Sequence, residues 1–242
     1  MRRYKTILYN TLYLVFSLLI MIAIYGHIHY SFRTYEADIN VADSLRWSLY
    51  QGIYIAGIMP VVFAFLYLPD IRKVTDIQYA VRAGSRCSII WKQEIYIMAV
   101  SVVNAVVNFV ELYICSAVFG DRLYKFDSYN SLFYRVTGRT INMSALTVYM
   151  IIIYYMVMQL FFVLNCTLLV FAVTSKKTVI CLCLALVEVL EWQRMGLAVH
   201  NSNCLYAVSL EEPDYMYMAK ILALSTCVVI LTVLVYKNRE FR

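Results

Sequence analysis

Glycine and proline are scarce in this chain, seven and three among 242 residues. Tight turns draw on both, so little of the chain is available for loops. Charge is scarce too. Asp, Glu, Lys and Arg make up 15% of the residues, against roughly 25% in soluble domains. Residues 6–32, 47–69 and 140–175 carry no Asp, Glu, Lys or Arg. There is no CxxC pair, the cysteine count is odd at seven, and most cysteines lie inside apolar runs. They read as small packing residues, not as disulfides or a zinc site. No G-x-x-x-x-G-K-S/T occurs, which excludes nucleotide hydrolysis on a phosphate loop of this chain.

What is present is apolar. The hydrophobic fraction is 62% and the mean hydropathy +0.69. A helix rises about 1.5 Å per residue, so roughly 20 apolar residues cross a hydrocarbon core of about 30 Å. Repeated stretches of that length imply an all-α, polytopic membrane protein, with residues 1–242 forming one transmembrane domain. Six spans are expected, at roughly 6–25, 48–68, 95–119, 146–173, 178–196 and 217–236. The fourth lies in an uncharged block longer than one crossing needs, so it is tilted or begins as an interfacial turn. The basic start followed by an apolar run imitates a signal peptide. The run is too long and has no convincing small-residue cleavage site, so a retained first helix is expected.

An even number of spans puts both termini on one side. That side carries Arg2, Arg3 and Lys5, then Arg72, Lys73, Arg82, Arg86 and Lys92, then Lys176 and Lys177, then Lys237, Arg239 and Arg242. These are thirteen of the 21 Lys and Arg. The opposite side collects Glu36, Asp38, Asp43, Asp121, Asp127, Glu211, Glu212 and Asp214. Positive charge stays inside, so both termini are expected in the cytoplasm and the chain in the cell membrane. The net charge of +6 thus reflects topology and contact with anionic lipid, not a nucleic-acid partner. Many of the 22 tyrosines lie near span ends, among them Tyr4, Tyr9, Tyr25, Tyr30, Tyr50, Tyr113, Tyr215, Tyr217 and Tyr236. They suit an interfacial belt.

The longest cytoplasmic connection, residues 70–94, is basic and amphipathic. Asp76 can cap a short helix starting near Ile77, on which Arg82 and Arg86 share a face. Gly84 and Ser85 offer a break, after which Ile89, Ile90 and Trp91 return to the interface. Such a segment suits either a basic rim on anionic lipid or a docking helix for a cytoplasmic partner. Arg82, Gly84, Ser85 and Arg86, followed by Trp91 and Lys92 leading into the third span, resemble the corresponding segment of small permease subunits of ABC-2-type transporters. Six spans, cytoplasmic termini and a long connection between spans two and three complete the resemblance. It implies that Asp76, Arg82, Gly84, Ser85, Arg86, Trp91 and Lys92 form a coupling element seated on a separate ABC-type ATPase subunit. It also implies a second permease copy or a related permease, export of a peptide, antimicrobial or lipid-like amphipathic compound, and ATP with Mg bound by the ATPase. No cofactor or metal is expected on this chain, and no enzymatic activity of its own.

Within the third span Ser101, Asn104, Asn108 and Glu111 are spaced three, four and three residues apart, and Cys115 follows four on. They share one helical face. Burying a carboxylate in lipid costs several kcal/mol, so this face should look into the bundle or a wet cavity. It either bonds neighbouring helices or lines a translocation path. Glu188, Glu191 and Arg194 in the fifth span repeat the spacing and are candidates for the same path, or for an ordinary charged helix end. His27, His29 and His200 with Cys204 match no metal-ligand spacing and read as solvated outer-loop residues. Two other classes share the outline. A vitamin or metal importer subunit would need a tight outer pocket. An intramembrane protease finds neither HExxH nor a Ser or Cys set beside an intramembrane His.

Overall fold

The computed structural model describes residues 2–32, 39–40, 86–119, 129–131, 134–135, 138, 140, 144–173 and 215–238. Four helices account for nearly all of them: α1 (Arg2–Phe32), α2 (Arg86–Phe119), α3 (Ala145–Val173) and α4 (Tyr215–Asn238). No strand occurs among the described residues. The helices are 24 to 34 residues long, roughly 36–51 Å at the helical rise. Three are long and apolar enough to cross a membrane, at Ile90–Cys115, Ala145–Val170 and Met218–Val235. In α1 the apolar stretch is shorter, Thr11–His27. The chain is mostly helical and has the character of a membrane protein.

Helix is the solution these segments require. In hydrocarbon every backbone N–H and C=O must bond within the chain, and a helix does this with no outside help. From Ala145 to Val173 there is no charge, glycine or proline to interrupt it. The start of α3 is set by Ser144. Its Oγ accepts from Thr147 N at 3.1 Å and lies 2.7 Å from Thr147 Oγ1, while its carbonyl accepts from Val148 N at 3.2 Å. This is an N-cap that closes the first turn. A smaller turn precedes it. Ser131 Oγ accepts from Tyr134 N at 3.1 Å, and the turn ends where Gly138 N donates to Tyr134 O at 2.7 Å. Gly138 has φ +71°, a backbone conformation that side chains disfavour.

Four of the six expected spans coincide with helices. The second and fifth, at 48–68 and 178–196, lie outside the described residues. The third starts earlier than expected, at Arg86 rather than 95, because residues 86–119 contain no glycine or proline to break the helix. Residues 86–94 are thus the first turns of α2, not an independent surface piece. The first helix also overruns its expected end. His27 and His29 stand on α1, not in an outer loop, and the His29 ring lies 4.9 Å from that of Tyr25. Tyr25 is fully buried rather than interfacial, since it continues the inward line Tyr13, Ser17, Met21 at steps of four. Tyr30 and Tyr113 are exposed.

The helices contribute to two compact units. One comprises residues 1–51, 104–154 and 202–214. Here α1 packs its Tyr13–Ser17–Met21–Tyr25 line inward, and Phe109 of α2 meets Tyr149 of α3 edge to face at 5.3 Å. The other comprises residues 52–103, 155–201 and 215–242. Its α3 portion buries Tyr155, Met156, Leu160, Phe161, Leu164 and Leu168, while the described side chains of α4 bury the narrow line Ile221, Ser225, Thr232. Leu222, Ile230, Leu231 and Leu234 of α4 are exposed, as befits a face that lipid can cover.

Candidate functional site

Along α2, Ile90, Glu94, Ile97, Ser101, Asn104, Asn108, Glu111 and Cys115 follow one another at steps of four and three. None is more than 6% exposed. The opposite positions Ile95, Val102, Val103, Val106 and Val110 are exposed. The helix therefore shows an apolar surface outward and a polar seam inward, the reverse of a soluble helix. The seam's average step of about 3.6 residues matches the helical repeat, so it stays on one face over many turns.

In the first unit α1 meets this seam. The Tyr13 hydroxyl donates to Asn104 Oδ1. Ser17 Oγ donates to Glu111 Oε2 at 2.6 Å and stands 3.4 Å from Asn108 Oδ1. Both α1 and α2 residue numbers rise along these contacts, so the two helices run parallel there. Asn108 Nδ2 is buried without an acceptor. No cation is paired with Glu111 among the described residues. A buried, uncompensated carboxylate is costly, and one short hydroxyl bond offsets only part of that cost.

In the second unit Ser101 bonds back to Ile97 O at 2.9 Å, and Thr167 and Thr232 do the same to Val163 O and Val228 O at 2.8 and 2.9 Å. Such bonds hide a hydroxyl inside an apolar helix. Gln93 and Glu94 are buried in the same unit, at 3% and 5% exposure. Asn165 of α3, fully buried, is the side chain that acts on Glu94.

The candidate path residues Ser101, Asn104, Asn108 and Glu111 all stand on this seam. Glu188, Glu191 and Arg194 lie outside the described residues. So do Asp76, Arg82, Gly84 and Ser85 of the candidate coupling element, and His200 and Cys204. Arg86 is the first residue of α2, and Trp91 and Lys92 are exposed on it, Trp91 at 61%. The described cysteines, Cys115, Cys166 and Cys227, are free. No cluster of three metal-ligating side chains occurs among the described residues.

Sequence reasoning missed Glu94, Gln93, Asn165 and the α1 partners Tyr13 and Ser17. Glu94 was within reach, because stepping back from Ser101 by four and three lands on Ile97 and Glu94. Asn165 stood out as an amide in an otherwise apolar helix. Tyr13 and Ser17 gave no signal beyond their spacing of four.

Chemically the seam and the α1 side chains on it offer hydroxyls, amides, carboxylates and the Cys115 thiol. It can hydrogen-bond polar groups of a solute or of neighbouring helices. Comparison with known proteins finds no matching family, no matching curated protein and no matching solved structure.

Proposed function

We propose that this chain is the membrane permease subunit of an ATP-driven exporter of the ABC-2 type, moving a peptide, antimicrobial or lipid-like amphipathic compound. The observation that carries the transport reading is the polar seam of α2, sealed inside helices whose outer faces are apolar. A purely structural bundle gains little from such residues, since interhelical hydrogen bonds contribute roughly 0.6–2 kcal/mol each. A carrier needs them, because polar groups of its cargo must find partners within the bilayer. In the present state Tyr13 and Ser17 of α1 occupy the seam. Export would draw α1 aside and let Asn104, Asn108 and Glu111 face the cargo, with Ser101 on the same face of α2.

The parallel run of α1 and α2 in the first unit supports a return crossing between them, as the six-span reading requires. Two parallel membrane helices require the intervening chain to cross back, and the uncharged block 47–69 has the length to do so. The energy source rests on the resemblance of Arg82, Gly84, Ser85, Arg86, Trp91 and Lys92 to an ABC-2 coupling segment, and on the missing phosphate loop. ATP and Mg would then bind a partner ATPase, and a second permease would complete the pathway.

The test has two arms. Purification from the native membrane should bring down an ATPase, and Arg82→Glu with Arg86→Glu should release it. Asn108→Leu and Glu111→Gln should each lower export at unchanged expression. An ATPase that stays bound through both charge reversals removes the coupling role, and undiminished export by both seam variants removes the path.

A further inference from the structure

Three side-chain oxygens gather where α1 meets α2 in the first unit. Ser17 Oγ lies 2.6 Å from Glu111 Oε2 and 3.4 Å from Asn108 Oδ1. All three residues are buried, Ser17 and Asn108 completely. One turn earlier the Tyr13 hydroxyl donates to Asn104 Oδ1 and holds the two helices together there. The cluster is poor in hydrogen. Ser17 has one hydroxyl proton, and the shorter contact, to the more basic oxygen of Glu111, takes it. Ser17 Oγ and Asn108 Oδ1 then face each other as two acceptors. The donor end of the same amide, Asn108 Nδ2, is buried without a partner. Turning the amide over would put Oδ1 in that place, so in either orientation one end of Asn108 goes unserved.

The charge points the same way. Glu111 is the one charged residue of 104–119, and 6–32 and 145–154 hold no Asp, Glu, Lys or Arg. A set of carboxylate, amide and hydroxyl oxygens with one negative charge suits a hard cation. Calcium-sized ions take oxygen ligands at about 2.3–2.6 Å, which sets neighbouring oxygens about 3.3–3.7 Å apart in a six-fold shell. The spacing of Ser17 Oγ and Asn108 Oδ1 falls in that range. An ammonium group reaches its acceptors at about 2.7–2.9 Å along tetrahedral directions, which spreads them to about 4.4–4.7 Å. One carboxylate neutralises one positive charge, whereas a divalent ion would leave a net charge buried in lipid. Sodium has the size of calcium and a single charge.

We propose that Ser17, Asn108 and Glu111 form a sodium site between α1 and α2. The ion supplies the positive partner that Ser17 Oγ and Asn108 Oδ1 both lack, and it balances the Glu111 carboxylate. Its ligands come from both helices, so it ties α1 to the seam. Withdrawal of α1 takes the Ser17 ligand away and weakens the site. The inference rests on the α1–α2 contact alone and stands whether or not the chain exports a cargo.

Scintillation proximity with radioactive sodium on the full chain in phosphatidylcholine nanodiscs tests it, with ionic strength held constant by N-methylglucamine chloride. A saturable signal is expected, displaced by unlabelled sodium chloride and not by methylammonium chloride at the same concentration. Glu111→Gln should weaken binding about tenfold or more, since it removes the charged ligand. Absence of a saturable signal from the unaltered chain, equal displacement by methylammonium, or unchanged affinity in Glu111→Gln overturns the proposal. If Glu111→Gln does not fold, Ser17→Ala decides. Loss of the α1 ligand should weaken sodium binding, and an unchanged affinity overturns the site.

Discussion

Ser17 has one hydroxyl proton and two acceptors within reach, Glu111 Oε2 at 2.6 Å and Asn108 Oδ1 at 3.4 Å. The shorter contact, to the more basic oxygen, takes the proton. Ser17→Ala removes that donor and leaves Glu111 buried with less support, a loss of about 1–3 kcal/mol by the usual cost of an unsatisfied buried group. Glu111→Leu deletes the need for the donor, so the double variant should lose less than the two single variants together. Unfolding in mixed detergent micelles measures all three, and simple additivity would show that the contact carries no coupling. That Ser101, Asn104, Asn108 and Glu111 share a face was legible in the sequence, because helical spacing fixes angular position. Which side chain would meet Glu111 was not, since α1 offers several hydroxyls and only packing brings Ser17 to it. Glu94 was misjudged for a related reason. A charge at the foot of a span suggests the membrane surface, yet its phase along α2 matches the buried seam.

At the scale of the element, the start of α3 has a visible cause. Ser144 fixes the start of α3 through its bond from Thr147 N, on an exposed turn. Ser144→Ala should cost about 0.5–2 kcal/mol locally. Faster amide hydrogen exchange at residues 146–148, with the rest of α3 unchanged, is the expected signature, and unchanged exchange there would show the cap to be idle. The start of α2, at Arg86, adjoins residues outside the described ones. Its expected boundary at 95 followed the onset of continuous apolarity, whereas the helix itself runs on until something breaks it. Apolarity marks where lipid begins, and helix breakers mark where the helix ends. These are different signals, and residues 86–94 are where they part. The same distinction explains His27 and His29, polar residues on a helix that outruns its apolar stretch.

For the molecule as a whole, the direction of the helices carries the most weight. Parallel α1 and α2 place the exposed Tyr30 and Val118 at corresponding ends of the pair within the first unit. Single cysteines at these two positions, in a chain otherwise without cysteine, should react with an impermeant thiol reagent from the same side of the membrane. Labelling of Tyr30→Cys and Val118→Cys from opposite sides would remove the return crossing between the two helices, and with it the six-span topology. Membrane character, helical class and an inward polar face on α2 were determined by the sequence alone. Each follows from the affinity of individual side chains for lipid or water, taken at the helical period. The parallel pairing of α1 with α2, the seating of Tyr13 and Ser17 on the seam, and the burial of Asn165 and Glu94 in one unit were decided only by tertiary structure. Residues distant in the chain meet through the register of packed helices, and many registers satisfy the same pattern of apolar and polar residues.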